Sequence, residues 1–144
     1  AEGAKNFGVQ CMVIASDAKQ REDKSWAVFL HGGRTPTGLD AVGWAATAEL
    51  CGAGELLVTS IDRDGTRDGF DLPLTRAVRD ACGLPVIASG GAGSIADFTE
   101  VFRSAGADAA LAASLFHYGE LGIGALKDAL AAQGIVVRRD TVSV

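Results

Sequence analysis

Three groups of residues in this chain have the types and spacing that chemistry requires. The first runs from Ser89 through Gly90, Gly91, Ala92 and Gly93 to Ser94, directly after the apolar run Val86-Ile87-Ala88. Glycines carry no Cβ, so their backbone can approach a ligand closely. Ser94 with Asp97 three residues later has capping-box spacing, which predicts a helix start. A strand, a glycine turn and a helix start make an anion site, because free N–H groups and the helix dipole favour negative charge. Phosphate is the natural guest, although a tight turn with no ligand satisfies the same pattern. The second group is Asp62, Arg63, Asp64, Gly65 and Thr66. Its backbone and Thr hydroxyl can hold an anion or a substrate hydroxyl, and a solvated charged turn accounts for it equally. The third is Asp17, which follows an apolar run and precedes Lys19 by two residues. A carboxylate at a strand end acts as general acid or base when its neighbours tune its pKa. It can also simply cap a loop or pair with Lys19.

Other chemistries are disfavoured. Ser60, Ser89 and Ser114 have no nearby His–Asp arrangement, which argues against a covalent serine mechanism. His31 and His117 lack metal-ligand spacing, and no metal or cofactor is expected. Neither a Walker loop nor a GxGxxG after a strand is present. Cys11, Cys51 and Cys82 form no CxxC pair, and each lies in an apolar stretch. They are expected to be buried free thiols in a reducing cytoplasm.

The elements that must position these residues follow from apolar patterning. Residues 1–8 read as a helix tail stopped at Gly8. Strands are expected at Val9–Ala15, Glu55–Ser60, Pro85–Ser89 and Ala109–Ala113, each buried on both faces. Helices are expected at Leu39–Leu50, from the cap Asp71 to Cys82, at Ser94–Ser104 and at Ile123–Gln133. A short helical turn falls at Leu115–Gly119. Ala18–Gly38 is a polar excursion in which Ser25–Leu30 forms one arm of a small hairpin. Ile135–Val144 is unplaced. Residues 51–60 and 105–114 align with glycine, alanine, leucine and serine in register, which signals a repeated strand–loop–helix unit. Asp17, Ser60, Asp62, Asp64, Ser89 and Ser114 all fall at strand C-termini or just beyond. That asymmetry belongs to a (β/α) barrel, whose chemistry sits in the βα loops. Ala113 and Ser114, at the last strand end, neighbour Gly90 and Gly91 in barrel order. Two such loops converging on one anion, with a short helix beyond them, are the usual phosphate site of this fold.

Length and composition agree. The chain has 144 residues, 48% hydrophobic and 22% charged, which suits one α/β domain with a core of its own. The net charge of −5 argues against nucleic-acid and anionic-membrane partners, so a phosphate needs local donors. No apolar run reaches the length of a membrane span, and no basic-then-apolar leader is present.

Several segments together resemble the cyclase subunit of imidazole glycerol phosphate synthase. They are Phe7–Cys11 leading to Ser16-Asp17-Ala18-Lys19, His31–Gly38, Thr59–Thr66, Ala88–Gly93 and Ala112–Gly119, in order over nearly the whole chain. The resemblance implies the C-terminal half of a (β/α)8 barrel, strands five to eight. It implies cyclisation in histidine biosynthesis: ammonia from a glutaminase partner converts a phosphoribulosyl-formimino aminoimidazole carboxamide ribonucleotide, with a phosphate at each end, into two products. These are imidazole glycerol phosphate and aminoimidazole carboxamide ribonucleotide. Asp17 then matches one of two catalytic aspartates, the other lying in the half not present here. Gly90, Gly91 and Ser114 match one phosphate site, and Glu55 matches a charged position at the ammonia entrance. The sibling phosphoribosyl isomerase shares the half-barrel pattern, an acid of the Asp17 type and the Arg63–Thr66 turn, but His31–Gly38 and Phe116–Gly119 fit the cyclase better. A half barrel that binds a phosphate sugar without catalysis is the third reading.

Four parallel strands in a curved sheet leave two edges and an inner face open, with Val58, Ile87 and Leu111 expected on that face. The abrupt start at Ala1 predicts a piece of a longer barrel. The alternative is a two-fold pair of copies that closes one.

Overall fold

A computed structural model describes residues 2–119 and 121–138. Helix α1 (Glu2–Phe7) leads through a 3-10 turn (Val9–Cys11) into β1 (Val13–Gln20), and the hairpin β2 (Trp26–Leu30) and β3 (Thr35–Asp40) follows. Then come α2 (Ala41–Leu50), β4 (Glu55–Ser60), α3 (Leu72–Ala81), β5 (Val86–Ser89), α4 (Ile95–Ser104), β6 (Ala109–Leu111), α5 (Ser114–His117) and α6 (Ile123–Ala132). The six strands form one sheet in the order β3-β2-β1-β4-β5-β6. The run β1-β4-β5-β6 is parallel, and the hairpin adds to β1 antiparallel. Strand and helix alternate along the parallel part, as in a partial (β/α)8 barrel.

The repeat carries a geometric signature of that barrel. It aligns Leu57 with Leu111, whereas the sheet sets Leu57 level with Ile87 and Ile87 level with Ala109. Equivalent residues therefore slip by two over two strand steps. One residue per strand is the stagger with which eight strands close at a shear of 8.

Burial shows which face the helices cover. Leu56, Val58, Val86 and Ala88 are buried, while their strand neighbours Leu57, Ile87 and Ser89 are only half-buried. One core joins Ala18, Trp26, Val28, Leu56, Val58 and Val86 to Ala41, Ala45, Leu74 and Val78 of α2 and α3. A second gathers Ala88, Phe98, Val101, Leu115, Leu126 and Leu130, with Phe70 edge-on to Phe98 at a centroid distance of 5.3 Å. The strands are thus buried on one face, not both. Val58 belongs to the helix-facing core and not to the inner face, whereas Ile87 and Leu111 do lie on the open side.

Several boundaries differ from expectation, and one is β6, which ends at Leu111 rather than Ala113, so Ala113 lies in the loop before α5. Val9–Cys11 is not strand: Cys11 N–H bonds Gly8 O at 3.2 Å and Met12 N–H bonds Val9 O at 2.9 Å, which closes a turn. Strand β1 instead runs on past Ala15 to Gln20, because the hairpin arm pairs with its polar end from Asp17↔Phe29 to Gln20↔Trp26. Leu39 and Asp40 belong to β3, and Asp40 caps α2 by accepting from Gly43 N–H at 2.9 Å. The thiols also differ. Cys11 sits in the 3-10 turn and Cys51 just past α2, and both are exposed; only Cys82 is partly buried. In the unplaced tail, Ile135 and Val137 pack on the second core, and residues 139–144 lie outside the described residues. Among the described residues no helix is long and apolar enough to cross a membrane.

Candidate functional site

The polar residues gather at the C-terminal end of the parallel strands. On the open face the register stacks transverse rows. Asp17, Thr59, Ser89 and Leu111 form the top row, and Ala15, Leu57, Ile87 and Ala109 form an apolar row beneath it. Val13 and Glu55 begin a third row at the strand starts. At about 3.3 Å per residue, Glu55 lies about 13 Å below Thr59 on the same face. Asp17 is therefore inside β1 rather than beyond its end, half-buried, with its Cα level with Thr59. Strand periodicity turns it toward the open side, since Ser16 and Ala18 are the buried members of the strand.

Beside that row lies a cavity of about 170 Å³. Asp64, Gly65 and Arg67 line it from the β4–α3 loop, Ser89 to Ala92 from the end of β5, and Leu111 to Ser114 from the end of β6. Seven of the residues singled out in the sequence meet here: Asp64, Gly65, Ser89, Gly90, Gly91, Ala113 and Ser114. The loops that form it interlock. Gly69 N–H donates to Gly91 O at 2.8 Å. An ideal Cβ on Gly91 would stand 2.2 Å from Gly69 O, and one on Gly90 would stand 2.8 Å from Ser60 O. Gly91 also has φ +99°, in the region that favours glycine. Close packing of loop on loop thus accounts for these glycines before any ligand is considered. At the start of α4, Asp97 Oδ2 accepts from Gly93 N–H at 2.9 Å and Ser94 N–H at 2.7 Å. Those two donors are therefore spent on the cap, which leaves Gly90, Gly91 and the loop before Ser114 as the part of the motif that faces the cavity.

The remaining expected site residues stand elsewhere. Ser60 is buried on the helix side, 1% exposed, and its Oγ donates to Asp71 Oδ2 at 2.9 Å. Asp71 Oδ1 in turn accepts from Leu74 N–H at 3.0 Å, so one carboxylate ties the end of β4 to the start of α3. Asp62 Oδ2 accepts from Gln20 N–H at 2.7 Å, which pins the β4–α3 loop to the end of β1. Thr66 Oγ1 donates to Arg63 O at 2.8 Å and accepts from Asp68 N–H at 3.2 Å, a bond set internal to its own turn. Glu55, half-buried, is held at the opposite end of the sheet, where both its N–H and that of Gly54 donate to Met12 O.

Two residues escaped the sequence reading. Thr59, rather than Ser60, is the hydroxyl on the open face, and counting by twos from Glu55 through Leu57 would have found it. Arg67 brings a cation to the cavity, and only its place in a charged loop hinted at that. The hairpin bears on the same rim. Its tip turns through His31 (φ +55°) and Gly32 to Gly33, where an ideal Cβ would be 3.1 Å from Ile61 Cδ1 of the β4–α3 loop. At its base Arg21 pairs with Asp40 at 3.5 Å and reaches Ser25 Oγ at 3.1 Å. In the same turn the Ser25 hydroxyl and backbone N–H bond Asp23 and hold its carboxyl below the usual range, with Arg21 adding to the effect.

This arrangement offers a carboxylate, a row of hydroxyls and a glycine-walled cavity on one rim, with an apolar strip running to a second carboxylate at the far end. Over residues 1–122 the chain matches the family model described as histidine biosynthesis protein. That match takes in the cyclase and the isomerase of the pathway without separating them. The chain belongs to the histidine biosynthesis protein family, whose members are (β/α)8-barrel enzymes.

Proposed function

We propose that this chain forms the C-terminal half of a cyclase active site. The reaction is addition of ammonia to a bis-phosphorylated phosphoribulosyl-formimino substrate, ring closure, and release of aminoimidazole carboxamide ribonucleotide. The observation that carries the proposal is the cavity at Gly90, Gly91 and Ser114 on the same rim as Asp17. One substrate phosphate binds in that cavity. Asp17 serves as general acid or base on the reacting atoms, and Thr59 and Ser89 line the path between them. The apolar row Ala15-Leu57-Ile87-Ala109, with Glu55 below it, suits the passage of neutral ammonia from a glutaminase partner. The cytoplasm is the matching compartment.

The open edges support a partner for the sheet itself. The hairpin covers only Asp17–Gln20 of β1, which leaves Val13–Ser16 without a neighbour on that side among the described residues, and β6 borders the other edge. A complementary half barrel, or a second copy of this one, would pair both edges and cover the half-exposed inner face.

The test assays the completed barrel on both substrates of the pathway. Ammonia-dependent formation of imidazole glycerol phosphate supports the proposal. Ketose–aldose isomerisation without that activity assigns the chain to the isomerase. Phosphate-sugar binding with neither activity reduces it to a binding half barrel.

A further inference from the structure

We infer that Arg67 is a phosphate-binding residue that supplies the positive charge of the cavity formed by Gly90, Gly91 and Ser114. This inference rests on the phosphate reading of that cavity. Asp64 lines the same cavity, and a phosphate dianion placed near that carboxylate is repelled. A cation in the lining would offset that repulsion. Among the described residues, Arg67 is the cation in the lining. Its guanidinium is planar, always charged and suited to two-pronged contact with phosphate oxygens. The neighbouring Arg63 does not line the cavity.

The backbone places Arg67 with unusual definition. Its φ of +63° is left-handed, a region that residues with a Cβ rarely enter. The glycine loop clasps it there: an ideal Cβ on Gly93 would stand 2.4 Å from Arg67 O and 2.9 Å from Arg67 Cβ. The loop that lends Gly90 and Gly91 to the cavity therefore also fixes the root of the Arg67 side chain. A cation anchored in this way loses less freedom when an anion arrives.

The experiment titrates inorganic phosphate into the intact protein and follows the amide resonances of Gly90, Gly91 and Ser114. The wild type is compared with Arg67→Gln, Arg67→Lys and Arg67→Gly. The Gly variant accepts the left-handed backbone without strain, so it removes charge while keeping the loop. Phosphate affinity is expected to fall about tenfold or more in the Gln and Gly variants, and to recover in part with Lys. The salt dependence of binding should weaken alongside. Wild-type-like affinity in both the Gln and Gly variants, with the three amides still responding, overturns the role of Arg67 and leaves the cavity reading intact. If phosphate moves none of the three amides in the wild type, the cavity reading fails and this inference fails with it.

Discussion

Asp17 and Ser89 stand on one transverse row of the sheet, each with its Cα level with Thr59 on the strand between them. Two strand spacings separate them, about 10 Å. Ser89 borders the cavity, so under the proposed cyclase reading one extended substrate reaches from a phosphate there to a reacting atom at Asp17. Asp17→Asn keeps shape and removes the ionisable group. We expect kcat to fall by about 10²–10⁴-fold, the range general acid–base catalysis supplies, while KM stays close to wild type. Steady-state kinetics on the completed barrel check this, and a variant with near-normal kcat would exclude Asp17 from the chemistry.

Ser60 and Thr59 are adjacent in sequence and opposite in facing. Ser60→Ala removes a buried hydroxyl from Asp71, leaving that carboxylate short of a donor at the head of α3. The expected cost is about 2 kcal/mol of stability, with turnover unchanged in the folded protein. Thr59→Val should do the reverse, sparing stability and lowering turnover. Denaturant melts beside kinetics on both variants separate the two roles, and a turnover loss in Ser60→Ala at full folding would return Ser60 to the site.

That pair also shows where sequence stops being legible. The parallel strands, the glycine loop and the run of polar residues at strand ends were visible because period-2 patterning and glycine punctuation are local signals. Seven of the cavity residues followed from that reading. Facing was less legible, since a strand whose two sides are both apolar, like Leu56-Leu57-Val58, does not say which side the helices cover. The polar end of β1 was invisible for a related reason. Asp17 reads as the strand's end, and Lys19 and Gln20 as loop, until the hairpin arm supplies their hydrogen bonds. Arg67 depends on a contact between two loops about 25 residues apart, and nothing short of the fold brings Gly93 against it.

The Arg21–Ser25 turn offers a pH test away from the chemistry. Asp23 titrates below the usual carboxylate range because the Ser25 hydroxyl and N–H bond its ionised form. A depressed pKa in the folded state contributes stability above the unfolded-state value, and that contribution is lost as pH falls through the folded-state value. Ser25→Ala removes the largest cause. The Asp23 carboxyl should then titrate at higher pH, as followed by its side-chain resonance. An unmoved titration would assign the shift to the Ser25 N–H, which the variant keeps, and to Arg21 after it.

The glycines of the site divide into two kinds, and alanine substitution tells them apart. Gly91 combines φ +99° with an ideal Cβ position 2.2 Å from Gly69 O, a backbone atom that cannot swing aside. Gly65 has φ +78° and nothing within 4 Å of its Cβ position. Gly65→Ala therefore meets only the conformational penalty of a left-handed residue, about 1 kcal/mol. Gly91→Ala adds a steric one, because the β4–α3 and β5–α4 loops must part and the bond from Gly69 N–H to Gly91 O is strained. Together these cost about 4 kcal/mol. Equilibrium unfolding of the two variants measures the difference directly. A Gly91→Ala protein as stable as Gly65→Ala would mean that the loops do not interlock. The glycine at 91 would then answer to a ligand's approach rather than to the fold.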